Sequence, residues 1–80
     1  MTIINENEIA RCVRRSVEGY LKDLDGEKPH PLHEMVILSV EKPLVELVMK
    51  YTKGNQTRTA EILGINRNTL RNKIRQYRIK

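Results

Sequence analysis

The sequence is poor in aromatic side chains, the largest that fill a protein core. It contains no tryptophan and no phenylalanine, and three tyrosines are its only aromatic residues. A chain of 80 residues buries a modest share of its surface when it folds alone, and such small domains often depend on a second subunit. We therefore expect a single small domain whose own core is thin.

Cysteine and long apolar runs are equally scarce. The only cysteine, Cys12, excludes an intramolecular disulfide and suits a reducing compartment, so we expect an ordinary, partly buried thiol. The longest apolar run is Met35–Leu38, which is far too short to cross a membrane. The amino terminus has neither the basic start nor the apolar stretch of a secretory signal.

The chain also offers little for catalysis or metal binding. His30, His33 and Glu34 lie close together, but a zinc site needs three or four rigidly held ligands, and the chain has no other histidine. No glycine-rich phosphate loop and no nucleophile motif is present. We expect no enzyme activity, no cofactor and no metal site.

Charge, in contrast, is abundant and unevenly distributed. Residues 51–80 hold eight Lys/Arg and one acid, Glu61, for a net charge of +7. Residues 1–50 hold seven Lys/Arg and nine acids, for a net charge of −2. Two halves of opposite sign indicate a carboxyl-terminal half that binds a polyanion and a half with another task.

The basic half contains the pattern of a helix-turn-helix, GNQTRTAEILGINRNTLRNKIRQ over residues 54–76. Two short helices that cross at about 90–120° leave room for only a small side chain at the crossing, and Ala60 supplies it. Gly64 permits the sharp reversal because glycine adopts positive φ without penalty. The apolar residues that close the two helices on each other are Leu63, Ile65, Leu70 and Ile74.

Capping residues predict the bounds of both helices. Asn55 is placed to cap a helix over residues 56–63, with Gly64 just past its end, and Asn66 is placed to cap a helix over residues 67–77. The second helix carries four cations and no acid, which favours DNA binding over a plain packing role; they are Arg67, Arg71, Lys73 and Arg75.

Two further helices are predicted upstream. Asn7 can cap a helix over residues 8–24, whose apolar positions recur at helical spacing: Ile9, Val13, Val17, Tyr20, Leu21 and Leu24. Residues 25–31 (DGEKPHP) are turn chemistry, and Pro31 suits the first turn of a helix that reaches Tyr51. Because the apolar period carries across Pro43, we expect one continuous helix kinked there rather than two shorter ones.

This second helix is apolar on more than one face, with Met35–Val40 apolar nearly all round. A surface helix of a monomer shows a single apolar face. In so short a chain, a second copy of the protein is the obvious partner to cover the remaining apolar face. We expect the helix to end at Gly54. The predicted dimer core is Val13, Val17, Met35, Val36, Leu38, Val40, Leu44, Leu47 and Val48.

From about Ile9 to its end, the chain resembles the Fis family (factor for inversion stimulation). The most specific segments are GNQTR at residues 54–58, GIN at 64–66 and TLR at 69–71. The resemblance implies an all-α homodimer with four helices per subunit, two interlocked as the dimer core (residues 1–53) and two forming the helix-turn-helix (54–80). It also implies a cytoplasmic, nucleoid-associated protein that binds and bends DNA and acts in bacterial transcription and recombination.

Carried over by position, the family's DNA contacts fall on Asn55, Thr57, Arg58, Asn66, Arg67, Thr69, Arg71 and Lys73. Asn66 and Arg67 open the second helix of the pair and are placed for base edges, since an arginine fork matches guanine O6 and N7. Five of the others suit contacts to phosphates: Asn55, Thr57, Thr69, Arg71 and Lys73.

The sequence departs from the family at several positions. Asn72 and Gln76 stand where basic residues are usual, which predicts weaker contacts to flanking DNA, and Asn68 stands where glycine is common. Only about seven residues precede the first helix, so we expect no amino-terminal hairpin and no stimulation of a DNA invertase. RNTLR (67–71) is equally similar to the DNA-binding domain of NtrC-type sigma-54 activators, which stays an alternative. A module that binds RNA or an acidic protein is a third.

Overall fold

The computed structural model describes residues 6–24, 26–28 and 31–80. Within these ranges the chain forms four α-helices and no strand: α1 (Glu6–Leu24), α2 (Leu32–Tyr51), α3 (Gln56–Leu63) and α4 (Arg67–Tyr77). The all-α class, with four helices in the described ranges, is therefore confirmed. The predictions for residues 1–5, 25, 29 and 30 lie outside the described residues. None of the described helices is both long enough and apolar enough to cross a bilayer.

The two upstream helices differ from the predictions in detail. Helix α1 begins at Glu6, so Asn7 lies inside its first turn and is not its cap. Cys12 is exposed rather than partly buried, because it lies away from the half-buried stripe that includes Val13 and Val17. The carbonyl of Pro31 accepts the amide N–H of Met35, which places Pro31 just before α2 rather than within its first turn.

Helix α2 runs without interruption through Pro43, which confirms a continuous helix. The chain divides into two compact units, residues 1–36 and 37–80, so most of α2 belongs to the same unit as the helix-turn-helix. In this second unit the core consists of Val45, Met49, Ala60 and Leu70. The residues packed against it are Leu63, Ile65, Ile74 and Ile79.

The predicted apolar set of the helix-turn-helix is thus confirmed, while two core residues from α2 were missed. Val45 is 2% exposed and Met49 is 5% exposed, and they join the core from the α2 side. Sequence reasoning placed neither of them in the apolar stripe of α2. A periodic pattern cannot reveal which of two apolar faces turns inward, because neighbouring elements decide it.

The opposite face of α2 is apolar and exposed in the single chain. Its residues follow a spacing of three and four, as in the seam of a coiled coil. They are Ile37 (45% exposed), Val40 (46%), Leu44 (45%), Leu47 (66%) and Tyr51 (73%). We call these five residues the outer stripe of α2.

All three helices of the second unit end in the same hydrogen-bonded motif, which begins with a left-handed residue just past the helix cap. At the end of α2 this residue is Lys53, with φ 56°. Gly54 follows with φ 85°, and its N–H bonds the carbonyl of Met49 at 2.9 Å. At the end of α4 it is Arg78, with φ 54°. The prediction that Gly54 itself ends α2 is therefore displaced by one residue, and a lysine takes the strained position.

Candidate nucleic-acid interface

The start of each helix in the pair is fixed by an asparagine side chain. Asn55 Oδ1 accepts the backbone N–H of Arg58 at 3.1 Å, and Asn66 Oδ1 accepts the backbone N–H of Asn68 at 2.7 Å. Each bond satisfies one of the N–H groups that a helix start leaves without an intrahelical partner. Both predicted caps are confirmed, and so are the predicted bounds of α3 and α4.

The turn between α3 and α4 depends on one left-handed glycine. Gly64 has φ 71° and ψ 32°, and its N–H bonds the carbonyl of Glu61 at 3.2 Å. The N–H of Ile65 bonds the carbonyl of Ala60 at 3.0 Å, which completes the motif. Ala60 is 3% exposed, as the tight helix crossing requires. These contacts fix the direction in which α4 leaves α3.

A buried threonine joins the end of α2 to the start of α3. Thr59 is fully buried, and its hydroxyl lies 2.8 Å from the carbonyl of Asn55 and 2.7 Å from the hydroxyl of Thr52. The Thr52 hydroxyl in turn lies 3.1 Å from the carbonyl of Met49. Sequence reasoning missed Thr59, although a threonine can bond the carbonyl four residues earlier in a helix.

Seven of the eight residues predicted to contact DNA are exposed: Asn55, Thr57, Arg58, Asn66, Arg67, Thr69 and Arg71. The structure brings two of them together across the helix pair, because Arg67 Nη1 donates to Thr57 Oγ1 at 3.4 Å. The first residue of α4 and the second residue of α3 thus present one continuous polar surface. Asn66 lies next to Arg67 at the start of α4, so the residues predicted to meet base edges are adjacent and exposed.

Lys73, the eighth residue, is engaged within the protein. Its ammonium lies 2.8 Å from Glu41 Oε1, with 26% of the Lys73 side chain and 25% of the Glu41 side chain exposed. The hydroxyl of Tyr77 donates to the same oxygen. The hydrogen bond from Lys73, and to a smaller extent the one from Tyr77, lowers the pKa of Glu41 below its ordinary value of 4.5. The bond to Glu41 raises the pKa of Tyr77 to about 12.

Positive charge also surrounds a shallow, open depression between the end of α2 and the residues after α4. It is lined by Met49, Gly54 and Ile79, by four cations and by one acid; the charged residues are Lys50, Lys53, Arg78, Lys80 and Glu46. Sequence reasoning did not group these cations because about 25 residues separate the two pairs. The positive surface of this unit therefore extends beyond α4.

The geometry of capped helices, a glycine turn and an exposed basic α4 has a counterpart in a known family. Residues 38–77, half of the chain, match the sequence profile described as "Bacterial regulatory protein, Fis family". The chain belongs to the Fis family. The matched segment begins within α2 and covers the whole helix-turn-helix, so the predicted resemblance is confirmed.

Relatives of the chain in the Fis family cover nearly all of it. A protein of Ralstonia nicotianae described as Fis-like and DNA-binding is 47% identical over 74 residues, which span 92% of this chain and 96% of the relative. The "DNA-binding protein Fis" of Psychromonas ingrahamii is also 47% identical, over 92% of this chain and 75% of the relative. That of Pasteurella multocida is 49% identical over the same shares.

Proposed function

We propose that the chain is a homodimeric Fis-like regulator that binds double-stranded DNA through α3 and α4 and bends it. One observation carries this proposal. A rigidly capped α4 presents an exposed polar and basic surface, and α4 contains no acid. Basic helices of this kind lie in the major groove in helix-turn-helix proteins. The names of the relatives, which describe DNA-binding proteins, support the same function.

Within the interface, the contacts divide into base readout and backbone positioning. Arg67 and Asn66 lie at the start of α4, which is the end of a recognition helix that meets base edges. Arg67 presents a planar fork that suits guanine, and its bond to Thr57 limits the directions that the fork can take. Exposed Arg71 and the start of α3 at Asn55 suit phosphates, which set the register but carry no sequence information.

The proposed dimer uses the outer stripe of α2. Five large apolar side chains at coiled-coil spacing are 45–73% exposed in the single chain, while the other face already packs on the helix-turn-helix core. A second copy of α2 would cover this stripe by a two-fold contact. Of the predicted dimer core, Val40, Leu44 and Leu47 lie in the stripe, whereas Val48 is half-buried in the single chain.

Bending follows from the two-fold arrangement that we propose. Two recognition helices must reach successive major grooves, about 34 Å apart along straight DNA. Only residues 52–55 connect α2 to α3, so each binding unit is held close to the dimer helix. Bending a site of 20–30 base pairs by 40–90° costs about 1–6 kcal/mol, and added phosphate contacts offset it. The wild-type protein should therefore prefer sites whose central base pairs deform easily.

Fluorescence anisotropy with a labelled duplex tests this function. We expect the affinity of the wild-type protein for the duplex to fall steeply as the salt concentration rises. Unlabelled duplex DNA should displace the labelled duplex far better than RNA or an acidic polypeptide does. Arg67→Ala should reduce discrimination between good and poor sites. Arg14→Ala, which removes an exposed cation of α1, is the matched control and should leave it unchanged. Equal displacement by RNA or by the acidic polypeptide would contradict the proposal.

A further inference from the structure

One carboxylate oxygen links α4 to α2. Glu41 Oε1 accepts the ammonium of Lys73 at 2.8 Å and also accepts the hydroxyl of Tyr77. Lys73 and Tyr77 are four residues apart on α4 and therefore lie on one side of that helix. Glu41 lies on α2, one turn before the core residue Val45. The carboxylate thus fixes two points of α4 against the helix that carries the outer stripe.

This cluster is set apart from the other cations of α4. Arg67, Arg71 and Arg75 are exposed, whereas three-quarters of the Lys73 side chain is covered. A hydrogen bond between charged groups is about twice as strong as one between neutral groups. Releasing Lys73 to a phosphate would leave the Glu41 carboxylate exposed near a polyanion, which is unfavourable.

We propose that Glu41 is a positioning residue for the recognition helix and that Lys73 stays paired with it when DNA binds. This inference rests on the proposed DNA-binding function and revises the role predicted for Lys73. Because the Lys73 charge is already neutralised, Lys73 contributes through the orientation of α4 and releases no counterion from DNA. Arg71 remains the phosphate-binding cation.

The number of phosphates that a protein neutralises sets the slope of log K against log salt, at about −0.9 for each one. Arg71→Gln should therefore make this slope shallower by about 0.9 per subunit. Lys73→Gln should leave the slope unchanged and lower affinity by about two- to tenfold at every salt concentration, since it removes a positioning hydrogen bond. A loss of slope in Lys73→Gln equal to that in Arg71→Gln would overturn the proposal.

Two further variants separate positioning from simple loss of structure. Glu41→Gln frees the Lys73 ammonium, so the slope should steepen by about 0.9 per subunit, and adding Lys73→Gln should restore the wild-type slope. Tyr77→Phe keeps the ion pair and should keep the slope while lowering affinity. Circular dichroism confirms that each variant is helical. A Glu41→Gln protein that is folded but has the wild-type slope would contradict the inference.

The same salt titrations distinguish a failure of this inference from a failure of the proposed DNA-binding function on which it rests. If the wild-type protein shows no salt-dependent binding to duplex DNA, the proposed function fails before any variant is compared. If the wild type binds and Arg71→Gln loses slope, the DNA-binding function stands. The comparison of Lys73→Gln with Arg71→Gln then decides only whether Lys73 stays paired with Glu41 on DNA.

Discussion

Truncating Leu47 to alanine tests whether the outer stripe of α2 is covered in solution. The Leu47 side chain is 66% exposed in the single chain, so Leu47→Ala should change a monomer's stability by no more than about 0.5 kcal/mol. If a second copy covers the stripe, the same change should cost about 2–5 kcal/mol per chain. Leu70→Ala is the control, because Leu70 is fully buried and should cost about 2–5 kcal/mol in either case.

The assay is denaturant unfolding followed by circular dichroism at two protein concentrations. Unfolding of a dimer releases two chains, so a hundredfold dilution should lower the apparent stability by about 2.7 kcal/mol per dimer. We expect this shift in the wild type and a large loss of stability in Leu47→Ala. A midpoint independent of concentration, together with a cost below about 0.5 kcal/mol for Leu47→Ala, would refute the dimer.

The remaining predictions concern the backbone, the base contacts and pH. Lys53→Gly should raise the stability to denaturant by about 1 kcal/mol, because a lysine with φ 56° is strained; an unchanged or lower midpoint would count against that strain. Arg67→Ala should reduce discrimination between two duplexes by about 1–3 kcal/mol, while Arg71→Ala should weaken binding to both equally; the reverse pattern would exchange their roles. The Glu41 contribution to stability should be present above about pH 4.5 and lost as the pH falls through its lowered pKa. The Tyr77 contribution should be present below pH 10 and lost as the pH rises towards 12. The difference in stability between wild type and Glu41→Gln should therefore shrink at both low and high pH. A difference that stays constant with pH would contradict both assignments.

The helix-turn-helix was predictable because its determinants are local. Asn55 and Asn66 bond amide groups two or three residues away, and Gly64 turns the chain within its own motif. Each signal acts over a few neighbouring residues, so the sequence pattern carries it in full. The bounds of α3 and α4 therefore match the prediction residue for residue.

Features that depend on distant residues were not predictable in this way. Val45 and Met49 join the core because α3 and α4 pack on one of two apolar faces of α2, and the sequence pattern does not distinguish those faces. The bond between Glu41 and Lys73 joins residues 32 positions apart. One local feature was missed as well: Lys53 takes a left-handed conformation that sequence reasoning assigns to glycine, and its N–H bonds the carbonyl of Lys50 only three residues earlier.

Energy transfer between dyes at the two ends of a duplex of about 25 base pairs tests the central claim most directly. As protein is added, we expect transfer to rise and to saturate at two chains per duplex. Affinity should also change when the central base pairs are varied, although no side chain is proposed to contact them. Unchanged transfer at saturation, with one chain per duplex and no effect of the central sequence, would contradict a dimer that bends DNA.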